Sequence, residues 1–480
     1  MQKILLFIAS LFYFNFLFSK NEIKSWQGIH ETPLSRLEQQ FAEPPVEFAN
    51  HVIWGWEGKM DKKTICNDLD SIKKKGFRAV IFEAGYKLPF KYLSEEWFKA
   101  IRTGVVEAKK LDIKVWIIDE GKYPSGFAGG KFSQERPDLR MQALVIGDTI
   151  QIKRGEVMTN HKIAPEIISA VAVSTSGAPN RTVEINNGKI SFNAGLDDWK
   201  ILLVKSDFRT AVTRAVNNPN GGKDATNSLC DYLNPVAVQQ FIDWTHKQYK
   251  KYLGKELGTT VLGFRGDEPD YAHLPWTPSI VQTFKDTKGY DPTPYLASFF
   301  TASPTIQEQR VKADYWDVWS SLFATHFFKL QADWCAANGV AHITHLNKEH
   351  EMPACVKAEG DYFRALSKVQ IPGVDAIWNQ IWPSTLNDFP KLASSVAHVY
   401  GKPRAFSESF AAYHISPTIP QAKFVVDHQI ARGINFFEFM FWLAGSKHRN
   451  WMSDPGMKGL NEYTNRTTYL MSQGKPGARI

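Results

Sequence analysis

Thr260-Val261-Leu262-Gly263-Phe264 is a short apolar run of strand type, and it leads into Gly266-Asp267-Glu268-Pro269. The same design recurs where Arg404-Ala405-Phe406 ends in Ser407-Glu408-Ser409-Phe410. In a parallel α/β barrel, residues just past each strand's C-terminal end converge on one mouth. Acids far apart in sequence can therefore face each other across a pocket. Opposed carboxylates are what cleavage of a glycosidic bond requires.

The flanking sequence supplies the rest of such a barrel. Apolar runs at 52–56, 78–82, 115–118, 260–264, 341–345, 374–378, 404–408 and 434–439 alternate with helical patterns. Ile65, Leu69 and Ile72 recur at helical spacing within 61–75, and longer helices are expected over 235–253 and 305–338. Near-continuous apolar strands separated by helices indicate a parallel sheet buried on both faces. Eight strands is the number that closes a (β/α)8 TIM-type barrel. An open doubly wound sheet is the alternative architecture, and no Gly-x-Gly-x-x-Gly fingerprint supports a dinucleotide site in it. Between 141 and 205 the pattern turns rich in Thr, Val and Ile, with turn signals at Ser176-Gly177, Asn186-Asn187-Gly188 and Asn193-Ala194-Gly195. It reads as a small antiparallel β module inserted after the third strand. The expected organisation is thus a signal peptide over 1–19, barrel segments over 20–140 and 206–480, and the module between them.

Composition limits the partners. A chain of 480 residues, 43% hydrophobic and 22% charged, has the ordinary balance of a globular protein with a large core. Its net charge of +8 is dispersed, and Lys73-Lys74-Lys75 sits where a helix should end, so nucleic acid is not an expected partner. The 15 Trp suit either a Trp-rich core or platforms for sugar rings. Met1-Gln2-Lys3 followed by an apolar run from Ile4 to Phe18 resembles a secretory signal, too short for a comfortable membrane span. Export to the periplasm or the extracellular space follows, with no stable membrane span after signal removal. Four scattered cysteines without a Cys-x-x-Cys pair read as free thiols.

Glu268 and Glu408 are the catalytic candidates. Pro269 restricts Glu268 to extended backbone. Asp119 and Glu120 end the third strand before a glycine-rich turn, Gly126 to Gly130, and read as binders of sugar hydroxyls. A phosphate loop would need a Gly-Lys-Ser/Thr ending, which is missing. Tyr123, Asp267, His345, Asn347, Trp378 and Tyr413 complete the expected substrate-binding set. His-Glu-x-x-His is absent around His345, Glu349 and His350, which argues against zinc, and no Gly-x-Ser-x-Gly elbow supports an esterase. Glu359, Asp361 and Asp375 offer hard oxygens of the kind Ca²⁺ takes. No organic cofactor is expected.

These residues carry a family resemblance. The run from Trp116 to Gly130, the block Asp231-Tyr232-Leu233-Asn234-Pro235, Gly266-Asp267-Glu268-Pro269, Ile371-Pro372-Gly373-Val374-Asp375 and Ser407-Glu408-Ser409-Phe410 resemble the motifs of the glycoside hydrolase family 106 α-L-rhamnosidases, in the same order. The resemblance implies release of terminal rhamnose from pectic or other plant-type glycans with inversion. It also implies Glu268 and Glu408 as the catalytic pair and a calcium ion that helps hold the sugar. Members of that family continue into β-rich domains beyond the barrel, whereas this sequence runs to Ile480. A retaining glycosidase on another sugar and a non-catalytic carbohydrate-binding barrel are the competing readings.

Overall fold

A computed structural model describes residues 24–121, 123–209, 213–214, 223–224, 228–269, 271, 274–445 and 451–477. The expected signal peptide lies outside the described residues. Eight parallel strands close the barrel: β1 (His51–Trp56), β2 (Ala79–Ala84), β3 (Lys114–Ile118), β4 (Val261–Gly266), β5 (Ala341–Thr344), β6 (Ile371–Ala376), β7 (Phe406–Ser409) and β8 (Phe436–Leu443). Each pairs with its neighbours in chain order, and β8 returns to β1. The caps that start the first helices are side chains of the expected kind. Asp61 accepts from the Thr64 backbone N–H at 2.9 Å, and Ser94 accepts from Trp97 at 3.3 Å. No helix among the described residues is long and apolar enough to cross a membrane.

Several strand bounds move, among them that of β8, which spans Phe436–Leu443 where 434–439 is expected. β6 begins at Ile371, three residues before the expected start, because Pro372 sits inside it. Proline donates no ladder hydrogen bond, and β5 and β6 share only the pairs Ile343–Ile371 and Thr344–Pro372. β7 runs to Ser409, so Glu408 lies within the strand and not beyond its end.

The barrel interior is filled by Ile53, Ile81, Trp116, Leu262, Ile343, Phe406 and Phe436, all buried. Such large rings fit because two facing positions have no side chain. A Cβ on Gly263 would collide with the Trp116 ring and the Ala341 carbonyl, and one on Gly373 would collide with the Phe406 ring. Gly263→Ala should therefore cost about 1–3 kcal/mol through overpacking. Urea denaturation would read this as a lower midpoint at unchanged slope.

The inserted module has a separate core that includes Ile190, Phe192, Trp199 and Ile201. Its sheet orders the strands Pro275–Trp276, Gln142–Ile152, Trp199–Phe208, Ile167–Ser174 and Arg181–Thr182. The first of these comes from the loop that follows β4. The loop carrying Glu268 is thereby stitched to the module through Trp276 and Gln142.

Candidate active site

The strands themselves assemble the centre. Asp375 on β6 pairs with Glu408 on β7, and Glu408 pairs with Glu438 on β8, so three acids lie side by side across adjacent strands. All three are buried. Two of them, Glu408 and Glu438, share a cation with Asp267, and Arg265 on β4 supplies it. Its guanidinium, fully buried, is ion-paired with Asp267 at 2.6 Å, with Glu438 at 3.1 Å and with Glu408. The His345 imidazole joins them, 3.3 Å from Glu408 and 3.5 Å from Asp267. Burial alone would lower its pKa, but bonding to Asp267, Glu349 and Glu408 raises it well above the ordinary imidazole value. Burial pushes Glu438 up to about 7, partly offset by Arg265.

Glu268 stands just past β4, half-buried. The extended backbone expected from Pro269 is not what it adopts: its φ is +38°, in the left-handed region. A non-glycine residue held there stores local strain, and such strain gathers at functional sites. Burial, together with the adjacent Asp267 charge, pushes the Glu268 carboxyl up to about 8. Asp267 itself is held well below the usual carboxylate range, because Arg265 and His345 outweigh its burial. Two neighbouring acids in one loop thus sit on opposite sides of neutrality. Glu268, His345 and Asp375 bring ligand-type atoms within 4.8 Å of one another, as do Asp267, His345 and Glu408. Glu268 and Glu408 therefore gather around one imidazole.

The other expected binding residues divide. Tyr413 lies beside Asp375. Its buried hydroxyl and Asp375 Oδ1 have no hydrogen-bond partner among the described residues. Trp378 is 53% exposed on the loop after β6, and Asn347 and Tyr123 are half-buried on the loops after β5 and β3. Asp119 and Glu120, expected to bind sugar hydroxyls, are engaged within the protein, although Asp119 Oδ2 has no hydrogen-bond partner among the described residues. Both are fully buried, and Glu120 accepts from the backbone N–H groups of Gly121 at 2.7 Å, Gly129 at 3.0 Å and Ala128. Its carboxylate folds the glycine-rich turn back on itself, so its oxygens face backbone and not ligand. Asp119 accepts from Ser125 Oγ at 2.6 Å, and the Asp267 backbone N–H donates to that same hydroxyl oxygen at 2.6 Å. This couples the end of β3 to the end of β4. Burial pushes Asp119 up to about 7.

Glu359, Asp361 and Asp375 do not come together as a calcium cage. Asp361 caps the helix Tyr362–Leu366 through the Arg364 backbone N–H, and only Asp375 reaches the barrel mouth. Two residues of the centre went unread in the sequence, Arg265 and Glu438. Each is a lone charge inside an apolar strand, and that is the signal that could have found them, since buried charges occur where a partner or a task requires them.

A family profile described as alpha-L-rhamnosidase matches residues 156–480, more than half of the chain. The solved rhamnosidase of Novosphingobium sp. PP1Y superposes with a TM-score of 0.68 at 15% identity, over 92% of this chain and 61% of that one. A Formosa agariphila protein carrying the provisional name β-glucuronidase is 23% identical, over 93% of this chain and 42% of its own. The chain thus spans less than two thirds of the length of either relative. The profile match, on a closed (β/α)8 barrel, shows that the chain belongs to the glycoside hydrolase family 106, the α-L-rhamnosidase family.

Proposed function

We propose that this protein is an exported, inverting α-L-rhamnosidase that removes terminal rhamnose from plant-type glycans. The observation that carries the reading is the meeting of Glu268 and Glu408 around His345, with Glu268 held protonated at neutral pH. A carboxylic acid with a raised pKa suits proton donation to the leaving glycosidic oxygen. Glu408, ion-paired with Arg265, is then the base that draws a proton from water on the opposite face of the sugar. The unpartnered Tyr413 hydroxyl and Asp375 Oδ1 suit sugar hydroxyls, and exposed Trp378 suits an apolar sugar face. The apolar run from Ile4 to Phe18 supports export to the periplasm or the extracellular space. Calcium is implied by the family, but the residues assigned to it from sequence do not share a site, so no step is routed through it.

Hydrolysis of an aryl α-L-rhamnoside, followed by NMR of the first-formed sugar, tests the proposal. The expected product has inverted anomeric configuration. The expected kcat/KM is flat near neutrality and falls above about pH 8 as Glu268 loses its proton. A retained configuration would favour the second reading, a retaining enzyme on another sugar; the provisional name of the Formosa relative supports only the different sugar. Binding of sugars with no turnover on any glycoside would leave a carbohydrate-binding barrel.

A further inference from the structure

A cavity of about 970 Å³, lined in part by the loops that follow β4 and β5, has a consistent chemistry. Leu274 enters it from the loop that carries Glu268, and Lys348 from the loop that carries His345. The helices Ile306–Leu322 and Met352–Glu359 form its other walls, contributing Lys312, Trp316 and Lys357, and Phe299 adds a second ring. Three lysines line this space and no carboxylate does. None of the three is paired with an acid among the described residues, although lysine–carboxylate pairs are frequent elsewhere on the molecule.

One of these cations is held in place by its surroundings. Lys312 is half-buried, with its ammonium 5.6 Å from the Trp316 ring centroid and 5.9 Å from that of Phe299. Its pKa is lowered by burial and by repulsion from Lys357, a cost that a bound anion would relieve. Aromatic and aliphatic walls bearing a few convergent charges are the usual build of a small-molecule site. The half-buried Trp316 ring suits the C–H face of a pyranose, and compact ammonium groups suit carboxylate or sulfate.

We propose that this cavity binds an anionic sugar residue, carboxylated or sulfated, of the glycan whose terminal rhamnose occupies the barrel mouth. The sugar class rests on the glycosidase reading, whereas the charge preference rests on the lysines alone. The substrate is thereby an acidic polysaccharide or oligosaccharide, with anionic units close to the scissile bond.

Titration calorimetry on the non-hydrolysing Glu268→Gln protein tests this with three probes. They are a rhamnose-terminated uronic acid oligosaccharide, its carboxyl-reduced counterpart and a sulfated counterpart. The expected result is binding of at least one anionic probe about tenfold tighter than the neutral one, the equivalent of one charge-assisted hydrogen bond. That preference should shrink at high salt and vanish in Lys312→Met/Lys348→Met/Lys357→Met. The exposed pair alone, as Lys348→Gln/Lys357→Gln, should lose part of it without risk to folding. Equal affinity for neutral and anionic probes, no binding of either anionic probe, or a preference untouched by the lysine changes would overturn the proposal. Absence of rhamnoside turnover in the unaltered protein would instead remove the hydrolase reading and leave the binding comparison to decide this one.

Discussion

Glu268→Gln lowers kcat/KM on an α-L-rhamnoside by about 10²–10⁴-fold, the usual weight of a positioned proton donor or acceptor. Glu408→Gln brings a loss of the same order. The two variants fail differently. The first loses the alkaline limb near pH 8, because the group that titrates there is gone, and it recovers partly with leaving groups that depart without a proton. The second keeps that limb and gains nothing from a better leaving group. Both still bind sugar, since neither change removes Tyr413, Asp375 or Trp378. Stopped assays on matched aryl and alkyl rhamnosides would show this pattern. If either variant kept a substantial share of the activity, the two-carboxylate mechanism would be wrong.

Arg265→Met has the largest expected effect on folding. The guanidinium is the shared partner of Asp267, Glu408 and Glu438, and it is entirely enclosed. Removing one side of a buried ion pair costs about 3–5 kcal/mol, because the remaining charge is left in a poorly solvating interior. Here three acids lose their counter-ion at once. Glu438 is already raised to about 7, so the stability it contributes is present below its ordinary range and is lost as pH rises through 7. Without Arg265 that decline should steepen, and the variant should be least stable in mildly alkaline buffer. Adding Glu438→Gln should restore part of the loss. Denaturation at pH 5 and pH 8 measures both effects; equal stability of variant and parent at pH 8 would show that the acids are neutralised in another way.

What the sequence made legible follows from which forces are local. The apolar runs that became β1 to β8 were readable because a strand buried on both faces carries its burial in its own composition. Pro372 obscured the start of β6, since a proline argues against a strand unless its neighbours are known. Glu268 and Glu408 stood out as acids close to strand ends, but placement alone does not separate them from Asp119 and Glu120, which end β3 and hold a hydroxyl and turn backbone instead. Arg265 and Glu438 were not, because each makes sense only opposite the other, and that opposition exists only once the sheet closes. The role of Glu120 was hidden for a related reason. Its partners at Ala128 and Gly129 become donors only when the turn has folded back. Backbone at Glu268 defied the local expectation from Pro269, which marks a place where the fold overrides residue preference.

The seam between Gln142 and Trp276 has an evolutionary corollary. One face of the module packs on an interior of its own, while Leu144, Val171, Leu202 and Val204 on the other face join the core shared with the barrel. The two-residue strand Pro275–Trp276 belongs to the loop that presents Glu268, so a change at this seam reaches the candidate site through a short connection. Selection for new glycan architectures could therefore act on the appendage first and retune the centre through it.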